Sequence, residues 1–463
     1  MSEQRTLDEI SEGTSIESDE VRSSLDETSL GEIPKDWQQV RLKDVIHESN
    51  YGAAESAEDF DPGNPRYVRI TDINTRGRLK SHTKVSLSKE KADGYLLKKG
   101  NLLFARSGAS VGKTYLYRQQ DGDCVYAGYL INHHINTDLA NPEFLYQYTD
   151  SPNYDSWVAR IQRTGAQPNI NAQEYGNLLI PYPPLPEQRK IATILYTVDQ
   201  AIEKTEEIID KLEMVRRGTE QDLLSRGILE DGSLRSEENI EYKSSWVDEV
   251  PEDWVVQPYS ELISDSSVGI VVKPTQYYDE AGEVPILRSK DISRDGIVNG
   301  DFEYMTQESN EENSNSQLEA GDVITVRSGE PGLSCVVSPE FDGSNCADLL
   351  ISTPGDNLDP HYAAMWINSR AGRKQIDRFQ AGLAQKHFNL GALRKLRVAV
   401  PPIEEQQRIV ESVSSITESI DREHQYKTRL QCLKQGLMQD LLSGTVRTAD
   451  TNIAVPDEIA QHG

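Results

Sequence analysis

The sequence predicts an α+β fold: two tandem domains, each followed by a long helix, with the two helices pairing as an antiparallel coiled coil about a pseudo-two-fold axis. Three observations predict it. The chain repeats itself at a near-constant spacing, each repeat ends in a sustained heptad pattern, and the stretches between are short β-type runs punctuated by Gly and Asn. Its 463 residues leave room for at least two domains. No run of about 18 apolar residues occurs, so a membrane-spanning helix is excluded. The N-terminus lacks the basic-then-apolar layout of a secretory signal. Four cysteines (Cys124, Cys335, Cys346, Cys432) form no CxxC pair, which argues against a zinc ribbon or disulfide scaffold and for a reduced, cytoplasmic protein.

Residues 1–32 hold ten acids and two arginines and read as a disordered tail. The repeat begins next. Ile33-Pro34 with Trp37 returns as Val250-Pro251 with Trp254, and Asp72-Ile73 returns as Asp291-Ile292. Arg106-Ser107-Gly108 returns as Arg327-Ser328-Gly329. Glu187-Gln188 after a proline run returns as Glu405-Gln406, and Asp222-Leu223-Leu224-Ser225 as Asp440-Leu441-Leu442-Ser443. The offsets are 217, 219, 221, 218 and 218, a period far too long for a solenoid unit. The order along the chain is then domain 1 (33–186), first long helix (187–226), linker (227–249), domain 2 (250–403), second long helix (404–444) and a tail (445–463).

The domains carry β-type runs at Tyr67–Ile70, Asn101–Ala105, Cys124–Tyr126 and Leu178–Tyr182, and short helical patterns at Pro142–Tyr148 and His361–Asn368. In the first long helix Ile191, Leu195, Val198, Ile202, Ile209 and Leu212 fall at heptad-type spacing. Ile409, Val413, Ile416, Ile420 and Leu430 repeat that register 218 residues on. Pro186 and Pro402 precede the helix starts, and Gly227 and Gly444 stand where a left-handed glycine ends a helix. Glu423, Lys427 and Lys434 fall near seam positions and suggest contact with another protein.

Charge divides the chain. The total is −28, from 76 acids against 28 Arg and 20 Lys, the acid-rich and lysine-poor composition of a protein adapted to concentrated salt. Taken alone this opposes nucleic-acid binding. Yet residues 66–118 carry a net +10 and residues 370–397 a net +7. These islands interleave Arg, Lys, Asn and Gln with aromatics, the residue types that read base edges and phosphates. Candidate contacts are Arg106, Ser107, Gly108, Lys113, Arg118, Arg163, Gln167 and Asn169 in the first copy. In the second they are Arg327, Ser328, Lys374, Arg378, Gln385, Lys386 and Asn389.

No catalytic constellation stands out. Ser107 to Thr114 ends in Gly-Lys-Thr, but the phosphate-binding loop needs glycine at position 107, and the second copy lacks the Lys-Thr. His133 and His134 have no second ligand pair, so a structural role is favoured over a metal.

The whole pattern resembles the specificity subunit of type I restriction–modification systems. The likeness rests on the Ile33/Trp37 and Val250/Trp254 domain starts, the Arg-Ser-Gly turns, the Glu-Gln helix starts with Arg189 and Arg408, and the Asp-Leu-Leu-Ser helix ends. It covers residues 33–447. The resemblance implies two target-recognition domains, each reading one half of a split, asymmetric double-stranded DNA target. It implies long helices that act as a ruler for half-site spacing and dock two methyltransferase subunits. Methylation and ATP-dependent restriction would come from methyltransferase and restriction subunits. S-adenosylmethionine, ATP and magnesium would sit on those partners, with no catalysis and no cofactor in this chain. The departures are the acidic tail, the acidic surface and the sparse positive charge around Arg327. A duplicated coiled-coil scaffold binding protein or small ligands is the alternative from another class.

Overall fold

The computed structural model describes residues 25–28, 31–74, 77–80, 82–162, 169–236, 242–245, 247–298, 300–380 and 387–460. Contacts divide the chain into two units that do not follow the linear order. Met1–Thr205 joins Tyr426–Gly463, and Glu206–Gln425 forms the second unit. Each unit is therefore one domain, half of the first long helix (Leu185–Arg226, 42 residues) and half of the second (Ile403–Ser443, 41 residues). The N-terminal half of one helix always accompanies the C-terminal half of the other, so within each unit the helices run antiparallel. At 1.5 Å per residue each helix is about 60 Å long. Among the described residues no helix is long and apolar enough to cross a membrane.

The domains share a topology. In the first, an antiparallel sheet has the spatial order Ile46–Tyr51, Leu130–Ile135, Asn101–Ala105, Thr114–Leu116. In the second, Ile263–Val268, Leu349–Pro354, Val323–Val326 and Ser334–Val336 repeat that order. The central strands Asn101–Ala105 and Val323–Val326 are buried throughout, which explains why apolar residues dominate both faces of each. A parallel pair, Arg66–Val68 with Cys124–Tyr126, recurs as Val284–Leu287 with Asn345–Cys346. A hairpin leads into each domain: Leu25–Thr28 with Gly31–Pro34, and Tyr242–Ser245 with Asp248–Pro251. The expected disorder of 1–32 thus fails for its described part, which pairs as a strand; 1–24 and 29–30 lie outside the described residues.

The heptad residues serve two purposes. Ile191 and Leu195 enter the first domain's core beside Phe104, Phe144 and Tyr175, and Met438, Leu441 and Leu442 of the second helix join them. Val198 and Ile202 pack with Leu430 in a small helix-to-helix cluster. In the second unit, Leu223, Leu224, Ile409 and Val413 share the core of Trp254, Tyr362, Trp366 and Phe388. Ile209 and Ile420 are buried, while Leu212 and Ile416 are only partly so. Lys434 is held inside unit 1, with Nζ 2.7 Å from Asp150 Oδ2 and 2.8 Å from Asp199 Oδ1, which corrects its assignment to another protein. Pro186 lies inside the first turn instead of before it, a position where its missing N–H matters little.

The helix starts explain the repeated motifs. Glu187 is buried; Trp37 Nε1 donates to its Oε2 at 3.1 Å and Arg447 Nη2 at 2.9 Å, while Arg447 Nε and the Thr448 amide donate to Oε1. Arg447 also donates to both Asp36 oxygens, at 2.8 and 2.6 Å. In unit 2, Glu405 occupies the equivalent place, bonded through both oxygens by Arg235, which reaches Asp253 Oδ2 at 2.9 Å as well. The linker (227–249) and the tail (445–463) are therefore clasps: the arginine after each helix closes the start of the other helix. Next along, Gln188 accepts from the Asn141 amide and Gln406 from the Asp359 amide, tying both helix starts to the caps of Pro142–Tyr148 and Pro360–Asn368. Gly227 (φ 73°) and Gly444 (φ 76°) end the helices, and a Cβ on either would lie 2.8 Å from Trp254 Cζ2 or 3.2 Å from Trp37 Cη2.

Burial pushes the Glu187 carboxyl up, but Arg447, the Thr448 amide and Trp37 outweigh it and hold it below its ordinary value of 4.5; Arg447 likewise lowers Asp36. Groups with depressed folded values stabilise fully above their unfolded values and lose that stabilisation as pH falls through the folded ones. Arg447→Ala should destabilise unit 1 by about 2–3 kcal/mol, the lower range for an orphaned buried charge because Arg447 is itself a third exposed. Urea unfolding at pH 7 checks this, and the variant should also show a shallower loss of stability below about pH 4 than the parent chain.

Candidate nucleic-acid interface

In each domain the Arg-Ser-Gly turn follows the central buried strand. Arg106 is fixed through its backbone: its amide donates to Tyr129 O at 3.1 Å and its carbonyl accepts from Ile170 N at 2.8 Å. Arg327 is fixed the same way, its carbonyl accepting from Phe388 N at 3.0 Å. Gly108 (φ 78°) and Gly329 (φ 91°) take a left-handed conformation, with open space where a Cβ would stand. Behind each turn a second glycine lies against a helix. A Cβ on Gly112 would be 2.8 Å from Val158, and Gly332 meets Ile376 in the same way. Val158 belongs to Pro152–Gln162 and Ile376 to Arg370–Gln380, so these helices brace the turns.

Three amides of the first turn are already taken within the domain. The Gly112 amide is taken by Ala105 O and Tyr175 Oη, Val111 N by Gly108 O, and Lys113 N by Ser110 O.

The side chains around the two turns diverge. The Arg106 guanidinium stands 4.9 Å from the Tyr51 ring centroid, and its Nε donates to Asn169 Oδ1 at 3.4 Å. Tyr51 Oη accepts from the Ala172 amide, which holds the ring in place. Ser107, Gly108 and Asn169 are exposed beside it. Arg327 instead pairs with Asp348, Nη1 to Oδ1 at 3.3 Å. Ser328 Oγ hydrogen-bonds His387 Nδ1 at 2.9 Å. The aromatic platform and the acidic partner, Tyr51 and Asp348, belong to no motif and are visible only in three dimensions.

Other candidates separate clearly. Lys113 Nζ donates to Ile73 O at 2.7 Å, and burial, with Lys80 nearby, lowers its pKa. Arg118 does not belong to the surface. It is buried, its Nη2 lies 2.8 Å from Glu143 Oε2, and its guanidinium faces Tyr146 and Tyr196, so it is an internal ion pair of the domain. Asn389 caps Leu390–Lys395, its Oδ1 accepting from Ala392 N, and Asn171 caps Ala172–Gly176 in the same way. Lys374 and Arg378 are exposed on Arg370–Gln380, whose opposite face buries Gly372, Gln375, Ile376 and Gln380. Arg163, Gln167, Gln385 and Lys386 lie outside the described residues, in the matching segments 163–168 and 381–386. His133 is buried, with Nδ1 2.8 Å from Ser49 Oγ, and burial pushes its pKa down to about 4. Among the described residues no group of three or more His, Cys, Asp or Glu could hold a metal.

The type I restriction modification DNA specificity domain matches the chain twice, over residues 34–214 and 251–431. A protein assigned as the MjaX specificity subunit of a type I restriction enzyme in Methanocaldococcus jannaschii is 25% identical over 445 residues, covering 91% of this chain and 96% of that one. The type I restriction enzyme EcoBI specificity subunit of Escherichia coli is 22% identical over 450 residues, covering 92% and 90%. The type I restriction–modification S subunit from M. genitalium shares the fold, with a TM-score of 0.53 at 14% identity over 88% of this chain and 96% of that one. The two matched stretches are the two repeats themselves, and the chain belongs to the type I restriction–modification specificity subunits, whose task is DNA target recognition.

Proposed function

We propose that each domain reads one half of a split, asymmetric double-stranded DNA target, and that the long helices dock two methyltransferase subunits. One observation carries the reading: the same backbone turn, on the same scaffold, is presented with different electrostatics in the two domains. Arg106, braced by Tyr51 and Asn169 within the basic island, suits a guanine edge in the major groove. Arg327 is neutralised by Asp348, and Arg370, Lys374 and Arg378, exposed along Arg370–Gln380, suit phosphates. A duplex would meet two unlike faces and be read asymmetrically.

The docking half rests on a second repeated feature. Ile208 and Val215 are exposed on the first long helix, one heptad apart. Tyr426 and Leu433 are exposed on the second, each 218 residues on. An apolar pair at corresponding positions of both helices suits two copies of one partner. The chain is then a non-catalytic cytoplasmic subunit, and its partners bind S-adenosylmethionine, ATP and magnesium and do the chemistry.

Single-molecule methylation sequencing of host DNA, with and without this gene, should show one split methyl-adenine motif disappear with the gene. An unchanged methylome, with no methyltransferase recovered in a pull-down, would reject the reading in favour of a scaffold. Arg106→Ala should lower methylation at one half-site about tenfold or more, while Arg327→Ala changes the other half less than threefold. Equal losses at both halves would contradict the assignment. Val215→Asp with Leu433→Asp should leave the thermal melting of the chain unchanged yet abolish co-purification of the methyltransferase.

A further inference from the structure

Beside the Arg327 turn lies a feature with no counterpart in domain 1. The chain leaves the edge strand Ile263–Val268 through Gly269 and Ile270, then exposes two adjacent valines, Val271 at 47% and Val272 at 74%. Val272 is the most exposed large apolar side chain among the described residues. The loop is tied to the turn, because Ile270 O accepts from the Asp348 amide at 3.1 Å, and Asp348 is the partner of Arg327. Among the described residues, Lys273 (φ 46°) and Asp348 (φ 56°) are the non-glycine positions with left-handed φ. Both flank this loop, and backbone strain of this kind collects at functional sites. In domain 1 the equivalent strand exit, Gly52 and Ala53, makes the same backbone bonds but continues with Ala54 and Glu55.

A solvent-facing valine pair needs a surface to cover it. Two cations stand close to it, Lys273, which follows directly, and Arg394, which donates to Ser266 Oγ on the strand at 2.9 Å, alongside the acids Asp265 and Asp348; the cations suit phosphates on either side of an apolar contact. In a DNA duplex the apolar group available to a side chain in the major groove is the thymine 5-methyl. We infer that domain 2 reads a thymine of its half-site through Val272, supported by Val271, in place of the arginine contact that Asp348 has neutralised. This rests on the reading of the two domains as half-site readers and names the base chemistry of the second.

The test uses the complex of this chain with its methyltransferase subunits and target duplexes in which each thymine of the second half-site is replaced in turn by deoxyuridine, which lacks only the methyl. One replacement should weaken binding by the parent complex about fourfold, the worth of one buried methyl. Val272→Ala should bind the unmodified duplex about fourfold more weakly and be indifferent to that same replacement. The substitution is on an exposed side chain, so thermal melting should be unchanged. A half-site without thymine, or a parent complex indifferent to every replacement, overturns the inference alone. So does a Val272→Ala complex that keeps the parent's sensitivity. A parent complex that does not distinguish its motif from scrambled DNA overturns the half-site reading as well.

Discussion

A carboxylate buried in the first turn of each long helix is what the rest of the architecture depends on. Glu187 and Glu405 are out of water, and each needs an arginine to be tolerable there. The arginine comes from the segment following the opposite helix, so satisfying the charge forces each helix end onto the domain that begins the other. The tryptophans pack against the same spot, and the adjacent glutamines fasten the domain's own helix caps. A helix start, a domain start and a helix end thus meet around one ionised group. Because both carboxylates are buried, salt screens these pairs less than it screens fully exposed ones.

This division of labour leaves the Arg-Ser-Gly turns free to differ. The backbone that carries Arg106 and Arg327 is the same down to the positive φ of Gly108 and Gly329 and the valine or isoleucine under the second glycine. The neighbours differ: Tyr51 ends the strand Ile46–Tyr51 in one domain, and Asp348 stands in the bend before Leu349–Pro354 in the other. Tyr51 braces one guanidinium, and Asp348 draws the other away. A single acid changes which chemistry the turn presents without disturbing the sheet beneath it.

Much of this was legible in the sequence because it is periodic. The repeat, the long helices, the strands Asn101–Ala105 and Cys124–Tyr126 and the helix Pro142–Tyr148 follow from local pattern, and the structure reproduces them. The misses are pairings across long separations. Arg118 looked like one more cation in a basic island, yet its partner Glu143 lies on another element. Lys434 looked out of place in a heptad because Asp150 and Asp199 are far off in sequence. Arg235 and Arg447 carried no periodic signal at all. The available clue was an acid before each motif tryptophan, Asp36 and Asp253, with a lone arginine after each helix end. Tyr51 and Val272 went unremarked because neither falls in a repeated motif or a heptad, and no periodic signal marks them.

The interlaced clasps also bear on synthesis at the ribosome. Unit 2, residues 206–425, is contiguous in the chain and has all its parts, Arg235 and Glu405 included, before the last helix is complete. Unit 1 begins earlier but lacks the second half of the second long helix and Arg447 until all of unit 2 has been made. The domain made first is therefore the one completed last. Until then it waits with Glu187 uncompensated and part of its core, the faces that Met438, Leu441 and Leu442 will cover, open to water. A chain cut short just beyond residue 425 would hold all of the second unit and an unfinished first.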